Sequence, residues 1–137
     1  MNKHLLTVHD VTDEDLLEIF RKADTYRDFA NMRVNPPTTK NYSGVIMCPL
    51  FLEPSTRTRH SFESAMLRLG GKCLSSPTPE MMSTAKGESM SDTLKAESYY
   101  CHLMVIRSTN HFRDWFDFDY DYINTPIINA GDGPFNH

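Results

Sequence analysis

The 137 residues are enough for one domain, 1–137, with its own core, and 14 Lys and Arg against 18 Asp and Glu leave a net charge of −4 and a pI near 5.8. No basic field exists to hold a polyanion non-specifically, which excludes a nucleic-acid partner. The longest uninterrupted apolar run is the eight residues Val45 to Leu52, well short of the ~20 that cross a bilayer, so no membrane partner is expected either.

In chain order, Met1 to Leu6 has one early positive charge but no long apolar segment and no small-residue cleavage pattern, and a cytoplasmic location is expected. Thr12 reads as a helix N-cap, with Asp13, Glu14 and Asp15 in the first turn where negative charge complements the dipole. Leu16, Leu17, Phe20 and Ala23 share one face of this helix, which runs to about Phe29 before Asn35-Pro36-Pro37 breaks the pattern. Gly44 to Cys48 is a continuous apolar run, too short for a helix and unalternating, as in a strand buried on both faces. From about Thr56 the period becomes helical, with Phe62, Ala65, Met66 and Leu69 on one side and Gly70-Gly71 as the stop.

Lys72 to Ser76 is a second strand, and Pro77 to Lys86 a long polar loop of the kind that tends to be functional. A helix from about Ser89 to Tyr100, a third strand from His102 to Ile106, a short helix near Asn110 to Phe116 and a fourth strand from Thr125 to Ala130 complete the chain. Phe116 to Tyr122 alternates aromatic and acidic residues and reads as an exposed turn. Cys48, Cys73 and Cys101, spaced by 25 and 28 residues, match neither a metal-ligand pair nor a disulfide framework; buried free thiols and no metal site are expected.

Strands alternating with helices predict an α/β fold, a four-stranded parallel sheet with helices on both faces, doubly wound in three αβα layers. Function then belongs at the C-terminal ends of the strands, three of which run into polar or glycine-rich sequence: Glu53 to Arg59, Arg107 to Asn110, and Gly131 to His137. Ser55-Thr56-Arg57-Thr58 lies between a buried strand and the first turn of a helix. Free backbone N–H groups, three hydroxyls and a guanidinium converge there on an anion, with phosphate the natural occupant. A Ser/Thr N-cap beside a surface arginine accounts for the same residues equally well on physical grounds alone.

The longer sequence Phe51-Leu52-Glu53-Pro54-Ser55-Thr56-Arg57-Thr58-Arg59 resembles the carbamoyl-phosphate signature of the aspartate and ornithine carbamoyltransferases. Glu53, where ornithine enzymes usually carry lysine, and Asn129-Ala130-Gly131-Asp132-Gly133 with His137 behind it are similar to the aspartate type. Ala85-Lys86-Gly87-Glu88-Ser89, followed by Asp92-Thr93, resembles that family's mobile loop, and the likeness spans essentially the whole chain in the expected order.

The resemblance implies that Ser55, Thr56, Arg57 and Thr58 hold the phosphate of carbamoyl phosphate, with Arg57 also neutralising it as it departs. Thr58, Arg107 and His137 would bond the carbonyl oxygen as the amine of L-aspartate attacks, a stabilisation needing neither metal nor cofactor. Lys86 would enter a neighbouring subunit's site in a homotrimer. The family's loop serine falls at Met82, and Ser83, one residue on, is the candidate to replace its hydroxyl.

In the family a Pro-Thr-Gln and then a whole aspartate-binding domain follow the histidine, whereas this sequence ends at His137. The expected protein is therefore the carbamoyl-phosphate-binding half of an aspartate carbamoyltransferase of pyrimidine biosynthesis, inactive by itself. The alternative is a stand-alone, non-catalytic phosphate-binding or regulatory module. Without the second domain, Glu53 is expected to lack the arginines it meets in the family, and apolar side chains that the missing half covers are expected to face water.

Overall fold

The computed structural model describes residues 3–30, 42–75, 87–111 and 123–133. The expected break at Asn35-Pro36-Pro37, the loop Pro77 to Lys86, most of the short helix Asn110 to Phe116 and the alternating stretch Phe116 to Tyr122 lie outside them.

A first helix, α1 (Asp13–Ala30), begins as expected at Thr12, whose Oγ1 accepts the Asp15 N–H at 3.1 Å while the Asp15 carboxylate accepts the Thr12 N–H at 3.2 Å. The sheet follows, made of β1 (Ile46–Phe51), β2 (Lys72–Cys73), β3 (Leu103–Ser108) and β4 (Ile127–Asp132), all parallel in the order β2-β1-β3-β4. α2 (Thr56–Arg68) connects β1 to β2, and α3 (Met90–Ser98) precedes β3.

Because successive strand residues face opposite sides, each strand feeds two cores. Cys48, Leu50, Met104, Ile106 and Ile127 pack with Leu94 and Met90 of α3, whereas Met47, Phe51 and Val105 pack with Phe62 and Met66 of α2. The two helices therefore cover opposite faces, which is the doubly wound arrangement. Leu50, Leu94, Met104 and Ile106 are fully buried, each stabilising the fold by about 1.5–3 kcal/mol through burial.

Two strands extend further toward their C-terminal ends than their apolar runs suggest, β3 to Ser108 and β4 to Asp132, while β1, ending at Phe51, stays within the run Val45 to Leu52. Backbone pairing continues past the point where hydrophobicity stops, because the ladder needs only N–H and C=O groups. β2 instead falls short, ending at Cys73 rather than Ser76. Leu74 N–H still donates to Met47 O at 2.9 Å, but the next rung needs an N–H from residue 49, and proline has none. Pro49 thus sits in the middle of a central strand on the side where its missing donor merely shortens an edge partner.

The outer side of β4 is joined by the N-terminal segment. Leu5 bridges Ile128 in parallel, its N–H donating to Ile127 O at 2.8 Å and its carbonyl accepting Asn129 N–H at 2.9 Å. On the face of α1 that carries Leu16, Leu17, Phe20 and Ala23, Leu17 is 68% and Phe20 60% exposed.

Candidate functional site

In this strand order the direction of winding reverses between β1 and β3, and ligands of doubly wound sheets bind in the crevice outside the strand ends at such a point. An open pocket of about 680 Å³ lies there, lined by Pro54, Ser55, Thr56, Arg57, Thr58, Arg107, Asn129 and Ala130. Five of the sequence-predicted residues are thus brought together, Ser55, Thr56, Arg57 and Thr58 from the start of α2 and Arg107 from β3. Ser83, Lys86 and His137 lie outside the described residues.

Ser55 occupies the N-cap position of α2, yet its side chain makes no capping hydrogen bond. Capping alone therefore does not account for this hydroxyl. Arg59 N–H, donating to Ser55 O at 3.1 Å, is the first to be taken up by the helix, which leaves the N–H groups of Thr56, Arg57 and Thr58 without intrahelical partners. No acidic residue stands in this first turn. Arg59 pairs with Glu63 at 2.7 Å, whereas Arg57 has no carboxylate partner among the described residues. A cation at the positive end of a helix dipole is unfavourable by itself, and a bound anion removes the conflict.

Arg107 is aimed by three features of the strand ends. The β3–β4 register shifts so that Ile106 faces Asn129 while Ser108 faces Asp132, leaving both Ala130 and Gly131 opposite the arginine. Its Nη1 donates to Ala130 O at 3.0 Å, and its Nε donates to the Glu53 carboxylate. The Nη2 group makes no hydrogen bond among the described residues and remains available at the pocket. Asn129 also lines the pocket, but its amide is occupied structurally, accepting Gly131 N–H and donating to Leu6 O, each at 2.8 Å.

The Glu53 contact corrects an expectation. Glu53 has a partner within this domain, because the register places Phe51 opposite Arg107 and so brings residue 53, just past the end of β1, alongside that side chain. Pro54, Asn129 and Ala130 were not singled out as pocket residues in the sequence, although a glycine near a strand's end, here Gly131, is itself a bulge signal.

Gly131 has φ +142°, and a Cβ there would come within 3.0 Å of Arg107 Nη1 and 3.1 Å of Cζ. Gly131→Ala is therefore expected to displace the guanidinium, costing about 1–3 kcal/mol of stability through backbone strain. A thermal melt and a phosphate titration check this: unchanged values in both would show that the close approach does not hold Arg107.

A helix N-terminus without a counter-charge and a fixed guanidinium, meeting at the switch point of a doubly wound sheet, define an oxyanion-binding α/β domain. Residues 3–137 match the family model described as aspartate/ornithine carbamoyltransferase, carbamoyl-P binding domain. The aspartate carbamoyltransferase catalytic subunit of Picrophilus torridus is 42% identical over 136 residues, covering 99% of this chain and 43% of that protein. The corresponding subunit of Archaeoglobus fulgidus is 39% identical, covering 100% and 44%. Among solved structures, the catalytic subunit of M. jannaschii aspartate transcarbamoylase superposes with a TM-score of 0.77 at 37% identity, covering 99% of this chain and 43% of that one. The Trypanosoma cruzi enzyme in complex with carbamoyl phosphate gives 0.78 at 28% identity, covering 95% and 40%. The chain belongs to the aspartate/ornithine carbamoyltransferase family, as its carbamoyl-phosphate-binding domain. It spans less than half the length of these relatives.

Proposed function

We propose that this chain binds carbamoyl phosphate and forms the corresponding half of an aspartate carbamoyltransferase, which joins carbamoyl phosphate and L-aspartate into N-carbamoyl-L-aspartate and phosphate. The observation that carries this reading is the convergence of the α2 N-terminus and Arg107 on one pocket. The N–H groups and hydroxyls of Ser55, Thr56 and Thr58, with Arg57, hold the phosphate. Arg107, with Thr58 and His137, takes the carbonyl oxygen. As the aspartate amine attacks the carbonyl carbon, negative charge moves onto that oxygen, and donors already in place stabilise it with little reorganisation. The C–O bond to phosphate then breaks, and Arg57 neutralises the leaving group.

Glu53 enters this scheme as the residue that positions Arg107 through Nε. Lys86, as the resemblance assigns it, acts from a neighbouring subunit of a homotrimer in the cytoplasm, and Ser83, one residue beyond the position of the family's loop serine, is the candidate to replace that hydroxyl. Aspartate is bound by the domain that the family carries beyond this one.

Calorimetric titration with carbamoyl phosphate, and with phosphonoacetate as a stable stand-in, tests the reading. One saturable site per chain, competed by inorganic phosphate and weakened by salt, is expected. No binding of any of the three would overturn it.

A further inference from the structure

The peptide that joins Ala130 to Gly131 is held by a side chain at each end. Its carbonyl, Ala130 O, accepts Arg107 Nη1–H at 3.0 Å, and its N–H, from Gly131, donates to Asn129 Oδ1 at 2.8 Å. A trans peptide is planar with its C=O and N–H opposed, so holding the one aims the other. The register shift between Ile106 and Ser108 takes this peptide out of the regular β3–β4 ladder. In place of the ladder, Asn129 closes a turn onto the N–H two residues on, which steadies Gly131 at φ +142°. The amide of Asn129 is itself fixed. Its Nδ2 donates to Leu6 O at 2.8 Å, and only one orientation of the amide serves both Leu6 and Gly131. Leu6 N–H donates to Asp10 Oδ2 at 2.8 Å, and Leu5 is paired with Ile128 of β4.

We infer that Asn129 is a positioning residue for Arg107, which it aims through the Ala130–Gly131 peptide at the carbonyl end of the ligand. The inference rests on the reading of the pocket as a carbamoyl-phosphate site. Glu53 holds Arg107 at Nε, and one bond at that atom leaves the guanidinium a pivot. The second bond, from Nη1 to Ala130 O, fixes the plane of the group and the direction in which Nη2 points. Phosphate is held at the start of α2, away from this chain of contacts, so a loss of aim falls on whatever the ligand carries beyond its phosphate. Discrimination between a carbonyl-bearing phosphate and the bare ion is thereby tied to the N-terminal segment, which meets the pocket only through the far side of β4.

Two measurements on the whole chain test this, with Asn129→Ala, which loses both bonds, and Asn129→Ser, whose hydroxyl can still accept the Gly131 N–H. Asn129→Leu, of nearly the same volume as asparagine, takes the place of the alanine variant if that one does not fold. By calorimetry, the ratio of phosphonoacetate affinity to inorganic phosphate affinity is expected to fall at least about tenfold in Asn129→Ala, as for one lost charge-assisted bond, and to recover to within about threefold in Asn129→Ser. By NMR of the ligand-free protein, the Arg107 Nε–H signal, assigned by its loss in Arg107→Lys, is expected to move in Asn129→Ala and to return toward its original position in Asn129→Ser. A ratio that stays constant while both affinities fall would make Asn129 a scaffold residue only and overturn the inference, as would an Arg107 signal that does not move. A signal that moves as expected in a chain that binds neither ligand would uphold the positioning and overturn the carbamoyl-phosphate reading instead.

Discussion

Carbamoyl transfer by the 137-residue chain alone is expected to be undetectable, even where it binds carbamoyl phosphate. The pocket offers an anion cradle and one fixed guanidinium, but the chain spans 43% of the length of its Picrophilus torridus relative. In the family, the groups that orient aspartate belong to the domain beyond this one. Holding two reactants in attacking geometry supplies about 7–11 kcal/mol of a barrier, roughly five to eight powers of ten in rate. An assay for carbamoyl-aspartate, run on the chain alone and together with the C-terminal half of a relative, separates the cases. Turnover by the chain alone at a relative's rate would overturn the prediction. Binding that persists while the added half restores nothing would favour the non-catalytic module.

Replacing Arg57 by alanine is expected to move binding and stability in opposite directions. Loss of one charge-assisted bond to phosphate, about 1.5–3 kcal/mol, weakens affinity about 10- to 150-fold. The side chain has no carboxylate partner among the described residues and stands at the positive end of α2, where no acid offsets it. Its removal leaves no buried charge behind and relieves about 0.3–1 kcal/mol of dipole repulsion in the ligand-free protein. Titration with phosphonoacetate, and thermal melts in phosphate-free buffer, read the two effects separately. Unchanged affinity would remove Arg57 from the site. Weaker affinity together with a lower melting temperature would mean instead that the arginine is part of the scaffold.

The parallel sheet was legible in the sequence because short, unalternating apolar runs such as Val45 to Cys48 and Leu103 to Ile106 report burial on both faces locally. The strand-to-helix turn of the proposed phosphate site was legible for a similar reason, since Ser55 to Thr58 are contiguous and such a turn exposes its N–H groups wherever it occurs. What the fold adds there is that Ser55, at the N-cap position, makes no capping bond.

Tertiary structure alone decided what depends on register. Pro49 shortens β2 because it stands opposite the rung that Leu74 would complete. The extra residue in β4 turns Arg107 toward Ala130 and needs a glycine at position 131 to make room. Glu53 and Arg107, 54 positions apart, pair because β1 and β3 end side by side, and Cys48 and Cys101 meet on Glu97 because α3 crosses the face that both strands share. A local pattern records how far a residue is buried and which backbone shape it prefers. Which distant residue lies opposite is set by the strand order and the pairing of the whole sheet, and no window of neighbouring residues contains that information.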